Sequence, residues 1–386
     1  MKVNVVGPYF GSSGYSTHLR NLTKAVKKIN SETSVETQLP QDYQKLVEND
    51  EEYELLSQQR YNEGWQVMIT NPLFAQFKLG EYNKGVLPFM IFEGDTAPKQ
   101  WGIMAKNFKK VLVPSSHNKQ ALTNVGIPEN HIALIPHGIN PEEFNTEPVK
   151  ENNPFMVPNK CTFVWNKGWS KGKLDRSGFH YVLQAFLEEF RDEEPVRLLA
   201  HINPAYNNPE WNVEEEIKKL RIPKMMTPPK PDKQLEINIT SGMLPTKAVK
   251  MLYHSGQYFI GCTRADAFNI PVLEAMACGL PCIVSTFGGH LDYVHKSSWK
   301  VGGTLEPAPI SDFGELPLYE QTRWLDISIP ELRKALRESY ELWKNNKDKY
   351  QELCKEAAEA SKDWTWEETA KKLVKLLQET EASVNG

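Results

Sequence analysis

At 386 residues the chain is too long for one ordinary hydrophobic core and fits two domains. A formal net charge of -4 excludes a global basic field that would draw it onto nucleic acid, so any bound anion must be held by a local site. The cysteines Cys161, Cys262, Cys278, Cys282 and Cys354 are odd in number and irregularly spaced, which argues against a disulfide framework. No second pair or nearby histidine completes a zinc site around Cys278 and Cys282, so the cysteines read as reduced thiols in mainly apolar stretches. Met1-Lys2 runs straight into the strand-like VNVVG without an apolar leader, and no segment approaches the roughly 20 apolar residues of a membrane span. The expectation is a cytoplasmic protein, with peripheral membrane contact left open.

In chain order, KVNVVGPY reads as a first strand, and Leu19, Leu22, Ala25, Val26 and Ile29 then recur at helical spacing. WQVMIT, VLPFMIF, KVLVPS and HIALIPHG are further strand candidates, with helical stretches such as HNKQALTNVG between some of them. Each strand is short and continuously apolar, as in a parallel sheet covered on both faces. A polar stretch with Pro and Asn, from Pro141 to Lys160, reads as a linker. The alternation then resumes: CTFVW, helix GFHYVLQAFLEEF, VRLLAHI, helix TKAVKMLYHSG, QYFIGC, helix VLEAMACG and PCIVS. Three helical stretches close the chain, and no repeat or low-complexity segment is present. The fold class is therefore α/β, with two doubly wound parallel sheets, and a ligand is expected in the cleft between them.

Two segments carry most of the chemistry. GPYFGSSGYSTHL joins the first strand to the first helix; Gly14 lets a ligand approach the backbone, and Ser13 offers a hydroxyl to a ligand or caps the helix. Its glycine spacing is not that of a dinucleotide fingerprint, which sets a nicotinamide enzyme aside. The second segment is CTRADAFNIPVLEAMACGLPCIVSTFGG. Here Asp266 lies in a loop and Ile270-Pro271 opens a helix, so free amides at Phe268, Asn269 and Ile270 are expected to face a diphosphate. Glu274, about one turn on, would accept hydrogen bonds from ribose hydroxyls; the plainer alternative is a dipole-favoured surface acid.

This string resembles the Glu-x7-Glu region of family 4 retaining glycosyltransferases, which run roughly E-G-F-G-L-P-x-L-E-A-M-A-C-G-x-P. The likeness extends to IPHGINPEEF, DRSGFHYVLQAF, VPSSHNKQALTNVGIP and WTWEETAKKL, most of the chain. It implies a GT-B fold: a Rossmann-like acceptor-side domain over 1–150, a Rossmann-like donor domain over 158–363, and a last helix, about 364–386, crossing back onto the first domain. It implies transfer of a hexose from a nucleoside-diphosphate sugar, built on UDP or GDP, to an acceptor hydroxyl with retained configuration. Asp266, Glu274, Arg176 and Lys171 are the expected catalytic residues, with Asp266 replacing the family's first glutamate. Ser177 stands where the family has a phosphate-binding lysine, so Arg176, Lys171, Lys167 or Lys173 must supply that charge.

FMIFEGDTAPKQW places Glu93 and Asp95 after a buried strand, where they would meet acceptor or sugar hydroxyls; Asp95 or Thr96 capping a helix is the plainer alternative. Tyr15 and His137 complete the expected acceptor side. No Asp-x-Asp occurs, so neither a metal nor any other cofactor is expected. The partners are then a nucleotide-sugar and a carbohydrate, lipid-linked or protein acceptor, with nucleic acid only as a modified base. The main alternative is a GT-B-like protein that binds nucleotide or sugar without transferring it.

Overall fold

The structure is a computed structural model. It describes residues 1–11, 13–37, 51–58, 61, 63–70, 75, 85–169, 175–203, 212–222, 234–309 and 321–385. The chain divides into two compact units, one of residues 1–140, 313–323 and 364–386, the other of 141–312 and 324–363. Residues 141–160, read as a linker from their composition, thus belong to the second unit.

The first unit begins β1 (Val3–Gly7), α1 (Gly14–Ile29), β2 (Thr33–Thr37), α2 (Glu51–Ser57), β3 (Trp65–Met68) and β4 (Gly85–Pro88). It continues α3 (Lys99–Met104), β5 (Val111–Val113), α4 (Ser116–Thr123) and β6 (Ile132–Leu134). The strand order is β2-β1-β3-β4, all parallel, and a bridge from Phe89 to Leu112 carries the ladder on to the parallel pair β5-β6. Parallel neighbours need long crossovers, which is the role of α1 between β1 and β2. Leu19, Leu22, Ala25 and Val26 bury one face of α1. Ile29, read as part of that face, is 42% exposed because it sits at the helix's last position.

The second unit holds β7 (Cys161–Lys167), α5 (Phe179–Glu189), β8 (Val196–Ile202), α6 (Val213–Lys219), β9 (Glu236–Ser241) and α7 (Thr246–His254). Then come β10 (Tyr258–Gly261), α8 (Ile270–Ala277), β11 (Cys282–Ser285), β12 (Trp299–Val301), β13 (Gly303–Pro307), β14 (Arg323–Ile327), α9 (Ile329–Asn345) and α10 (Lys347–Ser361). β14 starts at Arg323, the last residue of the first unit's 313–323 segment. Six parallel strands run in the order β12-β11-β10-β7-β8-β9. The chain winds outward from β7 through β8 to β9, then returns to the other side of β7 with β10. Adjacent strands β7 and β10 therefore form the topological switch point, and open parallel sheets bind ligands beyond the carboxyl ends of such strands. Beneath the sheet lies an aromatic core in which Phe179 packs at ring-centroid distances of 4.6 Å from Trp165 and 5.1 Å from Trp169.

α11 (Trp366–Asn385) belongs to the first unit and packs on α1. Its approach is fixed by backbone: Ile139 N donates to Trp364 O at 2.9 Å and Trp366 N to Ile139 O at 3.2 Å. Gly138 permits this, since a Cβ there would run into the backbone of Thr365 and Trp366. The cysteines are unbonded, four of them buried. No helix among the described residues is long and apolar enough to cross a membrane.

Candidate donor site at a topological switch point

β7 is buried along its length until Lys167, whose Nζ emerges at the carboxyl end of the strand. β10 ends nearby, and Asp266 follows it in a tight loop. The two side chains meet: Lys167 Nζ donates to Asp266 Oδ2 at 2.5 Å and to Asn269 Oδ1 at 2.9 Å. Arg176 reaches the same carboxylate, Nη1 lying 3.7 Å from Oδ2, and donates to Ala265 O at 2.9 Å. Burial opposes ionisation of Asp266, but Lys167 and Arg176, helped by hydrogen bonds, outweigh it and hold the carboxyl well below the usual range. Asp266 thus faces two cations, and Asp175 adds a second carboxylate that acts on Lys167.

The expected free amides need correction. Phe268 N and Asn269 N both donate to Asp266 Oδ1, at 3.0 and 2.6 Å. The carboxylate two and three residues upstream supplies the acceptor that a diphosphate was expected to bring, as an Asx side chain does at many turns. Asn269 itself takes the left-handed conformation (φ 67°), which an asparagine tolerates, and its carbonyl accepts from Tyr293 Oη at 2.6 Å. Ile270 begins α8, with Pro271 in the first turn. The loop is backed by Gly288 at φ 130°, next to the Gly289 amide that donates to Asp266 O at 2.9 Å.

Glu274 sits one turn into α8 and is half-buried. Tyr253 Oη donates to its Oε2 at 2.7 Å. Burial pushes the carboxyl up to about 7; the Tyr253 hydrogen bond pulls against this and the charge of Glu143 adds to it. Asp266 and Glu274, alike in the sequence pattern, are therefore opposite in electrostatics. Ser177 donates to Asp175 Oδ2, which also accepts from Gly178 N at 3.1 Å, so this serine shapes the turn into α5. Lys171 and Lys173 lie outside the described residues.

The first unit treats its expected residues differently. Ser13 caps α1, its Oγ accepting from Ser16 N at 3.2 Å, while Gly14 is exposed and Tyr15 half-buried in the first turn. Asp95, expected beside an acceptor, is instead bound to a distant segment: Oδ1 accepts from Arg323 N and Oδ2 from Arg323 Nε, each at 2.7 Å. Pro98, rather than Asp95 or Thr96, occupies the cap of α3. His137 is buried, its ring 4.2 Å from that of His18 and 5.9 Å from that of Trp366. Glu93 stays half-buried, its carbonyl accepting from His117 Nε2 at 2.9 Å.

Sequence reasoning missed Tyr253, Tyr293 and Arg323, whose roles arise from chain segments far apart. Asn166, a polar residue directly after the apolar run FVW of a buried strand, carried a signal.

Residues 171–309 match the family model described as Glycosyl transferases group 1. No curated protein matches the chain significantly. Among solved structures, the chain resembles Anabaena HepE in complex with UDP and glucose, at 12% identity and a TM-score of 0.66, covering 98% of this chain and 100% of that one. It resembles sucrose-phosphate synthase from Thermosynechococcus elongatus at 14% identity and a TM-score of 0.66, covering 99% and 100%. A third similar structure is WaaG, a glycosyltransferase involved in lipopolysaccharide biosynthesis, at 12% identity and a TM-score of 0.58, covering 97% and 99%. Likeness at such identities establishes the fold: the chain has the α/β GT-B fold of these proteins. The matched family segment contains Arg176, Asp266 and Glu274.

Proposed function

We propose that the protein transfers a hexose from a nucleoside-diphosphate sugar to an acceptor hydroxyl in the cytoplasm, retaining the anomeric configuration and needing no metal ion. The observation that carries this reading is the meeting of Lys167, Arg176 and Asp266 at the switch point of the second unit's sheet, with Glu274 one turn into the helix that follows. The partly exposed Arg176 guanidinium there suits a diphosphate, whose charge grows as the glycosidic bond breaks.

Arg176 is the better phosphate ligand of the two cations. Its side chain is 34% exposed against 10% for Lys167, and its planar fork matches phosphate oxygens. Lys167 supports it from behind, and Glu274 takes the ribose hydroxyls. Asp266 has Oδ1 on two amides and Oδ2 on Lys167, which leaves it poorly placed as a nucleophile. That commitment favours transfer without a covalent sugar–carboxylate intermediate. The UDP and glucose held by HepE support a donor of the UDP-sugar kind. On the acceptor side Glu93 and Tyr15 remain the candidates, for a carbohydrate, lipid-linked or protein hydroxyl.

The test is incubation of the full chain with UDP-, GDP- and ADP-sugars and a set of acceptors, with and without EDTA. Released nucleotide and the anomeric proton of the product are followed by NMR. One donor should be consumed at an EDTA-insensitive rate, giving a product of the donor's configuration. Rate lost on chelation and restored by Mn²⁺ overturns metal independence. Nucleotide binding with no turnover returns the chain to the non-transferring alternative.

A further inference from the structure

Asn166 lies at the end of a buried strand, where an amide without partners is costly. Its Nδ2 donates to Tyr253 Oη at 3.0 Å. Tyr253 is itself fully buried near the end of α7, its ring 5.7 Å from that of Phe259 and 6.0 Å from that of Phe144. A phenol has one hydrogen and an ionised carboxylate only accepts, so the Tyr253 hydrogen goes to Glu274 Oε2, 2.7 Å away. The phenol oxygen is then left to accept from Asn166. The three groups form a chain with one direction, Asn166 to Tyr253 to Glu274, that runs from the strand to the helix of the site.

We infer that Tyr253, anchored by Asn166, is a positioning residue for nucleotide recognition: its hydroxyl fixes one carboxylate oxygen of Glu274 so that the other is presented to the vicinal hydroxyls of a ribose. The inference rests on the nucleotide-sugar reading above and adds to it a residue outside the 262–289 string that suggested it. The groups acting on Glu274 are Tyr253 from α7, Glu143 from the segment after Asn140, Cys278 one turn further along α8, and Tyr293 beyond the 289–292 turn. None of these is a cation; Lys250, on α7 with Tyr253, is the cation that acts on Cys278 beside them. The Tyr253 hydrogen bond is the named contact that favours the ionised carboxylate against burial and Glu143. Ionised Glu274 is also the form that accepts from two hydroxyls. Losing the phenol hydroxyl should weaken nucleotide binding and move its pH dependence upward, whereas loosened packing would admit water to Glu274 and move that midpoint downward.

The experiment is calorimetric titration of the full chain with UDP, GDP or ADP, whichever the wild type binds best, from about pH 5.5 to 8.5. Tyr253→Phe keeps the ring, and Glu274→Gln is the companion variant. Wild-type affinity should fall on acidification through the region near 7. Tyr253→Phe should bind roughly tenfold more weakly at neutral pH, with its acid limb about one pH unit higher. Glu274→Gln should show no limb. A limb in Tyr253→Phe that coincides with the wild type overturns this inference and leaves the donor reading standing. A wild type that binds none of the three nucleotides overturns the donor reading, and this inference with it.

Discussion

α1 and α8 both begin just beyond the carboxyl end of a buried parallel strand, yet the two helix starts are closed by different chemistry. At α1 the cap is the neutral hydroxyl of Ser13, followed by the exposed Gly14. At α8 the closing group is a carboxylate, Asp266, which takes the Phe268 and Asn269 amides and is itself gripped by Lys167. A serine cap satisfies a donor and leaves the helix dipole unopposed, whereas a carboxylate spends that field on the protein's own charge. The proposed diphosphate would then rely on side-chain cations such as Arg176 in place of the Phe268 and Asn269 amides. In the same segment Asp266 and Glu274 are both withdrawn from water but titrate in opposite senses, because the cations beside Asp266 outweigh its burial whereas burial of Glu274 outweighs the Tyr253 hydrogen bond.

The strongest way to break this contrast is to remove the charge pair at α8. Asp266→Asn leaves Lys167 without the Asp266 carboxylate, and Lys167→Met leaves Asp266 with its two amide donors and, as a cation, Arg176 at 3.7 Å, so each should destabilise by about 3 kcal/mol. The double variant should lose clearly less than the sum of the two. Denaturant melts of the four proteins measure this coupling; additive losses would mean that the two side chains do not act as a pair. Because the Asp266 carboxyl is held below its ordinary value, the contribution of the pair is present at neutral pH. It should fade only as pH drops below about 4.

Glu274 sharpens the contrast from the other side. Its carboxyl is raised to about 7, so the folded state holds a proton that the unfolded chain releases near 4.5. Its favourable term is complete below the unfolded value and is lost as pH rises through 7. Glu274→Gln should therefore be more stable than the wild type at alkaline pH, by on the order of 2–3 kcal/mol, and show little difference in acid. The same variant should lose nucleotide affinity. Equal melts at pH 5 and pH 8, to take about those values, would place Glu274 in water instead.

The uneven legibility of the sequence follows from this chemistry. Both parallel sheets were readable because continuous apolar strands separated by amphipathic helices report burial on two faces, a property local to each segment. β2 and β9 were not read: TSVET and EINITS are polar edge strands whose pairing depends on a neighbour. At the site, Asp266, Glu274 and Lys167 stood out by position, but what each does there depends on partners distant in sequence. Asp95 shows this most plainly, since it binds Arg323, 228 residues away. No local pattern announces such a partner. The same holds for Tyr253, which lies in an amphipathic helix with nothing to set it apart from a core aromatic.

A smaller test addresses the α1 cap. Ser13→Ala removes the acceptor for Ser16 N and should cost about 1 kcal/mol, without the pH dependence expected at α8. A loss that varies with pH between about 5 and 8 would show that a charged group shares the α1 start.

The finest test is Gly14→Ala. Glycine is often kept where a side chain would clash or where φ is positive, and neither applies here. Gly14 is not among the positive-φ residues, and a Cβ placed on it meets nothing within 4 Å. Alanine is the better helix former, so the fold alone should gain about 0.5 kcal/mol from the change. The described residues thus place no steric or backbone demand for glycine at this position, and the proposed transfer supplies one to test, close approach of a substrate to the α1 backbone. We expect Gly14→Ala to melt slightly higher than the wild type while kcat/KM for transfer falls several-fold. The same substitution in the Glu274→Gln background should give the same small gain in stability, since α1 and α8 lie in different units. A more stable variant with unchanged turnover would remove Gly14 from the site and leave the α1 start a structural cap only.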